Sequence, residues 1–287
     1  MRIPHTLSAA LAAFLLAACG GGNGDAPPPP NEQASVGQQP APDNVETAVP
    51  APKGIATAPE LSAFKDLNGT HHAAALTYWI IANSPKEFPP EEAMDLLSPE
   101  YHNERDPFRK QDIVNTEWPR YQQELAAYKG MEYVYIPLGK PRKTSFDSPD
   151  ELYSPELYMR DYDFQRKGFP LAEGNFGSGG GTQCLEAYSL RNQNHVTMEL
   201  HSDVDCFLPM EDEAQARRLS EIWHGNPSNW ILGFGRLYLR LSLDPDGQRI
   251  HGEVVAAEVE WRTAGRSDEP TPQVQFRTLM KSPQYKH

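Results

Sequence analysis

Apolar residues change their spacing along this chain, and the changes mark its organisation. From Leu7 to Leu16 they form one short run behind a single positive charge, Arg2. From 20 to 59 they thin out: nine of these 40 positions are Pro and none is aromatic. From Glu60 onward they recur with helix and strand periods. Leu76, Trp79 and Ile80 have helical spacing, with Thr70 as a cap and Pro85 as a stop. Pro89-Pro90-Glu91-Glu92 opens a second helix through Leu97, with its acids at the positive end. Asp106-Pro107 starts a third, carrying Ile113, Val114, Leu125 and Tyr128. Trp118-Pro119 is expected to kink or restart it, and Gly130 to end it.

Strand periods follow. Glu132–Leu138 is the first, and Leu157–Phe164 the second, followed by Gly168-Phe169-Pro170-Leu171. Thr182–Leu190 and His195–Cys206 predict a hairpin across Arg191–Asn194. In its second arm Val196, Met198, Leu200, Val204 and Cys206 share one face, and Thr197, Glu199, His201, Asp203 and Asp205 the other. Met210–His224 reads as a helix stopped by Gly225. Leu237, Leu239, Leu241 and Leu243 then line one face of a strand, with Arg236, Tyr238 and Arg240 on the other. Asp244-Pro245-Asp246-Gly247 turns the chain, and Ile250–Trp261 returns with a bulge expected at Val254-Val255. Gln273–Thr278 adds an edge strand. Helices first, then strands with one inserted helix, predict an α+β fold with a largely antiparallel sheet.

The run Leu16-Ala17-Ala18-Cys19 closes the first apolar stretch with small residues before a cysteine. That stretch is short for a membrane span, which needs roughly 20 apolar residues. With Arg2 and the Leu7–Leu16 core, the pattern resembles a bacterial lipoprotein precursor and its lipobox. The resemblance implies cleavage of residues 1–18, acylation of Cys19 on thiol and amine, and a place outside the cytoplasm. Gly20, where Asp would retain the protein in the inner membrane, implies the outer membrane, with the domain in the periplasm. Residues 19–59 then read as a lipidated Pro/Gly-rich tether too poor in apolar surface to fold, and 60–287 as one globular domain. The Tyr101…Asp106-Pro107-Phe108 region and the stretch LYSPELYMRDYDFQRKGFPL also resemble uncharacterised proteobacterial lipoprotein domains. That second likeness carries no site residues across.

With Cys19 lipidated, Cys184 and Cys206 remain. Outside the cytoplasm such a pair is most simply a disulfide; two buried thiols are the alternative. Overall charge narrows the partners. The chain has 26 basic and 39 acidic residues, a net charge of −13. That balance excludes a typical nucleic-acid binder. It leaves membrane attachment to the lipid and favours a basic protein partner.

Motifs for chemistry are weak. Glu199, His201, Asp203 and Asp205 offer imidazole and carboxylates on one strand face, with His201 and Asp203 the metal candidates. Same-face neighbours stand about 6.5–7 Å apart, so one ion takes two of them at most without help from elsewhere. Gly177–Gly181 lacks the Lys of a P-loop and the Gly that precedes a nucleophile elbow. His71-His72 are adjacent on a helix and point apart. Asp244–Gly247 lacks the later ligands of a calcium loop. No cofactor is implied. Tyr158, Arg160 and Tyr162, within an aromatic stretch that includes Tyr153, Phe164 and Phe169, are the binding candidates. The expectation is therefore a non-catalytic interaction domain on a lipid anchor with an envelope protein as partner. Its specific form is an immunity-type inhibitor of a basic envelope toxin. The alternatives are an envelope hydrolase or metal-dependent enzyme, and an assembly component of an envelope or secretion machine.

Overall fold

Helix caps and proline positions set the first half of the fold. The computed structural model describes residues 55–69, 71, 74–139, 155, 157–173, 184–185, 189–191, 196–225, 230–245, 247, 249–264 and 274–287. Residues 1–54, with Cys19 and the stretch that the lipobox resemblance reads as a leader, lie outside them. So do Thr70, His72, Tyr153, Asp246 and the 177–181 loop. The described residues fall in one unit, Ala51–His287. Short 3-10 turns at Ile55–Thr57 and Leu61–Ala63 lead into β1 (Lys65–Asp66). Ile55 and Ala58 are fully packed, so folded chain begins inside the stretch 19–59 that composition assigns to the tether.

Helix α1 (Ala75–Asn83) buries every side chain from Ala75 to Ile81. A helix apolar all round belongs inside a core. Its Trp79 indole N–H donates to the Met131 carbonyl at 2.6 Å. In α2 (Pro90–Leu97), Pro90 sits at the first turn and Glu91 and Glu92 face the positive end. A short α3 (Pro99–Asn103) follows, its start capped by Ser98, whose Oγ accepts from the Tyr101 N–H. Helix α4 (Pro107–Tyr128) is capped by Asp106, which accepts from the Phe108 N–H at 2.8 Å. It continues through Pro119 without a restart. Its buried stripe, Val114, Tyr121, Leu125 and Tyr128, packs into the core on both sides of the proline, and tertiary burial outweighs the missing N–H.

The strands are β2 (Tyr133–Leu138), β3 (Leu157–Met159), β4 (Gly168–Glu173), β5 (Ser189–Arg191), β6 (Thr197–His201) and β7 (Phe207–Pro209). Helix α5 (Glu213–Gly225) follows, then β8 (Trp230–Leu243), β9 (Ile250–Ala264) and β10 (Val274–Lys281). The fold is α+β, with a largely antiparallel sheet and α5 inserted. The long β8–β9 hairpin forms its middle. On its far edge β8 carries β3 and then β2; on its own far edge β9 carries β6 and then β10. The changeover on β9 coincides with the expected bulge: Tyr238 pairs with Ala256 and Leu239 with Val254, leaving Val255 extra. The Val255 carbonyl accepts from the Ser282 N–H. The pairs β1–β2 and β6–β9 are parallel.

Both faces of the hairpin are partly covered. Leu237, Leu239, Leu241 and Val254 join the main core with the helices. Tyr238, Ala256 and Val255 form a smaller cluster on the opposite face with Ile55, Ala58, Phe64 and Tyr285. Gly235 makes close strand approach possible. Its φ is +150°, and a Cβ there would lie 2.0 Å from the Glu258 carbonyl oxygen.

Two expected strands end early. The Leu157–Phe164 strand stops at Met159, because Asp163 Oδ1 accepts from the Gln165 and Arg166 N–H groups and closes a turn instead. The His195–Cys206 strand stops at His201. The Ser202 Oγ accepts from the Val204 N–H, and the chain leaves its place between β5 and β9 to reach β7 beside β4. Cys206, whose carbonyl accepts from the Leu171 N–H of β4, is joined to Cys184 by a disulfide with Cα atoms 5.6 Å apart. The β5–β6 hairpin itself is present, pairing Ser189 with Glu199 and Arg191 with Thr197.

Candidate functional site

The outer face of the central hairpin concentrates the charged residues. Direct register partners share a face, so Arg240 lies opposite Glu253 and Ser242 opposite His251. Arg240 is 9 % exposed. Its Nε donates to Glu132 Oε1 at 2.7 Å, and its Nη1 stands 3.6 Å from Glu253. The arginine stem covers the sheet while two partly solvated carboxylates hold its head.

Beside this network the parallel register of β6 and β9 places Glu199 opposite His251 and His201 opposite Glu253. Met198 and Leu200 point into the core, so Glu199 and His201 point out. One ligand atom each from Glu199, His201 and His251 lies within 4.8 Å of the other two. The imidazoles of His201 and His251 have centroids 5.6 Å apart. Arg249 Nη1 stands 3.6 Å from Glu199 Oε1 and supplies the local counter-charge. His201 is thus where alternation puts it, but Asp203 and Asp205 are not beside it. The strand has ended, Asp203 accepts from Gln284 Nε2 at 3.0 Å, and Asp205 meets Arg166. His251, which sequence reasoning missed, takes the third place.

A second candidate is the tip joining β3 and β4. Tyr158 is 7 % exposed and paired between β4 and β8. It belongs to the sheet interior rather than to a contact surface. Arg160 is exposed and Tyr162 half-buried. The Tyr162 hydroxyl donates to the Met210 carbonyl, and its ring meets Phe169 and Phe164 edge-on at 5.1 Å each. Phe164 is 85 % exposed. The turn beneath it is fixed by the Asp163 side chain, by the Asp163–Gly168 bridge, and by Arg166, whose guanidinium lies 3.8 Å from the Phe207 ring centroid. Arg160, Asp161, Trp223 and His224 line a shallow depression alongside, where His224 Nε2 meets Asp161 at 3.2 Å.

On the helical side His71 stacks on Tyr78 at 4.0 Å, and Tyr78 on Tyr128 at 5.5 Å. Burial pushes both phenols up, Tyr128 to about 12. Both remain neutral at ordinary pH and pack into the core, and Tyr78 also donates a hydrogen bond to Glu124.

Among the described residues no helix is long and apolar enough to cross a membrane. Neither the family models, nor the curated proteins, nor the solved structures compared with the chain gave a match.

Proposed function

We propose that the chain is a lipid-anchored, periplasm-facing envelope lipoprotein whose folded part is a non-catalytic protein-interaction domain. The observation that carries the interaction reading is Phe164. A turn locked by side-chain and ring contacts holds a large apolar ring in water. Such a ring loses little entropy when a partner covers it. Arg160 and Tyr162 flank it with the chemistry of an interface anchor. The Cys184–Cys206 disulfide supports an oxidising compartment, and the Leu16–Cys19 pattern supports the outer-membrane anchor. The acidity of the chain supports a basic partner, and in the specific form an envelope toxin that the domain inhibits.

The test is expression of the full chain with Cys19 intact in its own host, crosslinking in the envelope, and identification of what copurifies. A stoichiometric basic hydrolase is the expected result for an inhibitor. Recovery of envelope-machine subunits makes the domain an assembly component. Recovery of no specific partner overturns the interaction reading.

A further inference from the structure

We infer that Glu199, His201 and His251 form a divalent-metal site for an ion of the zinc class, independent of the interaction reading. Two neighbouring strands that are distant in sequence, β6 and β9, build it. The parallel β6–β9 register sets Glu199 beside His251, and the two-residue strand period brings His201 to the same side. The donor set is two imidazoles and one carboxylate, which suits zinc and its neighbours better than magnesium or calcium.

The geometry is close to binding distance. The three donor atoms lie within 4.8 Å of one another. Ligands about 2.0–2.1 Å from a tetrahedral ion stand roughly 3.3 Å apart. Small rotamer changes supply the difference, because all three side chains border solvent rather than being locked in the core. Among the described residues neither imidazole is engaged in an ion pair or hydrogen bond, whereas the neighbouring carboxylates Glu132 and Glu253 are held by Arg240. Arg249 pairs with Glu199. Its side chain is 65 % exposed, so it can turn into water when a metal takes the carboxylate.

An ion here would tie β6 to β9. That pairing spans only Met198–His201 against Ile250–Glu253, and β5 extends the sheet beyond it through a three-residue ladder. Three protein ligands leave at least one coordination position for water or a partner's group.

The experiment is Zn²⁺ binding to the purified full chain, wild type and the variants His201→Gln and His251→Gln, by calorimetry and by thermal unfolding with and without Zn²⁺. The visible spectrum with Co²⁺ reports coordination directly. Near-UV circular dichroism establishes that each variant is folded. The expected result is one equivalent per wild-type chain, with a higher Tm in Zn²⁺ and Co²⁺ bands of low coordination number. Either variant should weaken binding by at least ~100-fold, since even an outer-shell partner is worth 10–100-fold. Asp203→Asn should bind as wild type does. Absence of binding overturns the proposal, as does an equivalent that persists in both histidine variants. If a histidine variant is unfolded, Glu199→Gln replaces it, and undiminished affinity there is equally fatal.

Discussion

The Tyr78 hydroxyl donates to Glu124 Oε2 at 2.7 Å from a ring only 4 % exposed. Burial is the main cause that pushes Tyr78 above its ordinary value of 10.0, and the bond to Glu124 and its charge add to it. Tyr128, stacked against it, is pushed up to about 12 by burial, then by Asp66 and Glu124. Both phenols ionise near 10 in the unfolded chain. The folded values lie above that, so the stability these groups contribute is complete below pH 10 and is lost as pH rises beyond it, through about 12 for Tyr128 and further still for Tyr78. Denaturant midpoints measured from pH 8 to 12 should fall above pH 10. Tyr78→Phe should be less stable at pH 7 by about 1–2 kcal/mol but fall less steeply in that window. An equally steep fall in the variant would contradict the assignment.

Much of the fold is legible in residue spacing because it is local. Leu237 to Leu243 alternate, so β8 and its buried face follow; adjacent Val254 and Val255 break the alternation, so the bulge follows. The candidate metal site is only half legible. Alternation puts Glu199 and His201 on one face, but nothing within either strand encodes that β6 pairs in parallel with β9. His251 is therefore invisible until the long-range register is known. The same alternation carries on into Asp203 and Asp205, where the chain has already left β6. The residue pattern predicts strand as far as Phe164, whereas Asp163 and Gly168 frame a turn there. Ile55 and Ala58 lie among prolines, and their burial depends on Tyr238 and Tyr285, far away in sequence.

Cys184 and Cys206 close a loop with a sequence separation of 22. In the chain-entropy model that constraint stabilises the fold by about 3 kcal/mol. Replacement of both cysteines by alanine should lower the urea midpoint and raise m, because the unlinked unfolded chain exposes more surface. An unchanged midpoint would mean that the bridge contributes nothing.

Gly235 lies where β8 changes neighbours from β3 to β2. Gly235→Ala would force a methyl group to within 2.0 Å of the Glu258 oxygen at a φ unsuited to alanine. The expected loss is roughly 3 kcal/mol or more, read as a lower Tm; a shift within experimental error would show that β8 and β9 can separate there at no cost.

The proposed anchor has its own test. With residues 1–19 replaced by a signal peptide that is cleaved without lipidation, the chain should stay in the soluble envelope fraction, whereas the wild type should pellet with membranes and resist high salt, because an acidic domain offers no electrostatic hold on anionic lipid. Salt-resistant pelleting of the variant would assign attachment to something other than the lipid.

Phe164 and Phe108 are both large rings in water, 85 % and 81 % exposed. Only Phe164 sits on the proposed contact surface; Phe108 opens α4. The most direct measurement places a photoreactive phenylalanine analogue at one position or the other in the full chain with Cys19 intact, irradiates intact host cells, and identifies the adducts. A single envelope protein captured from position 164 and not from 108 is the predicted result. Capture from 108 alone, or from neither, would contradict the account of this chain as an interaction domain that works through the β3–β4 tip.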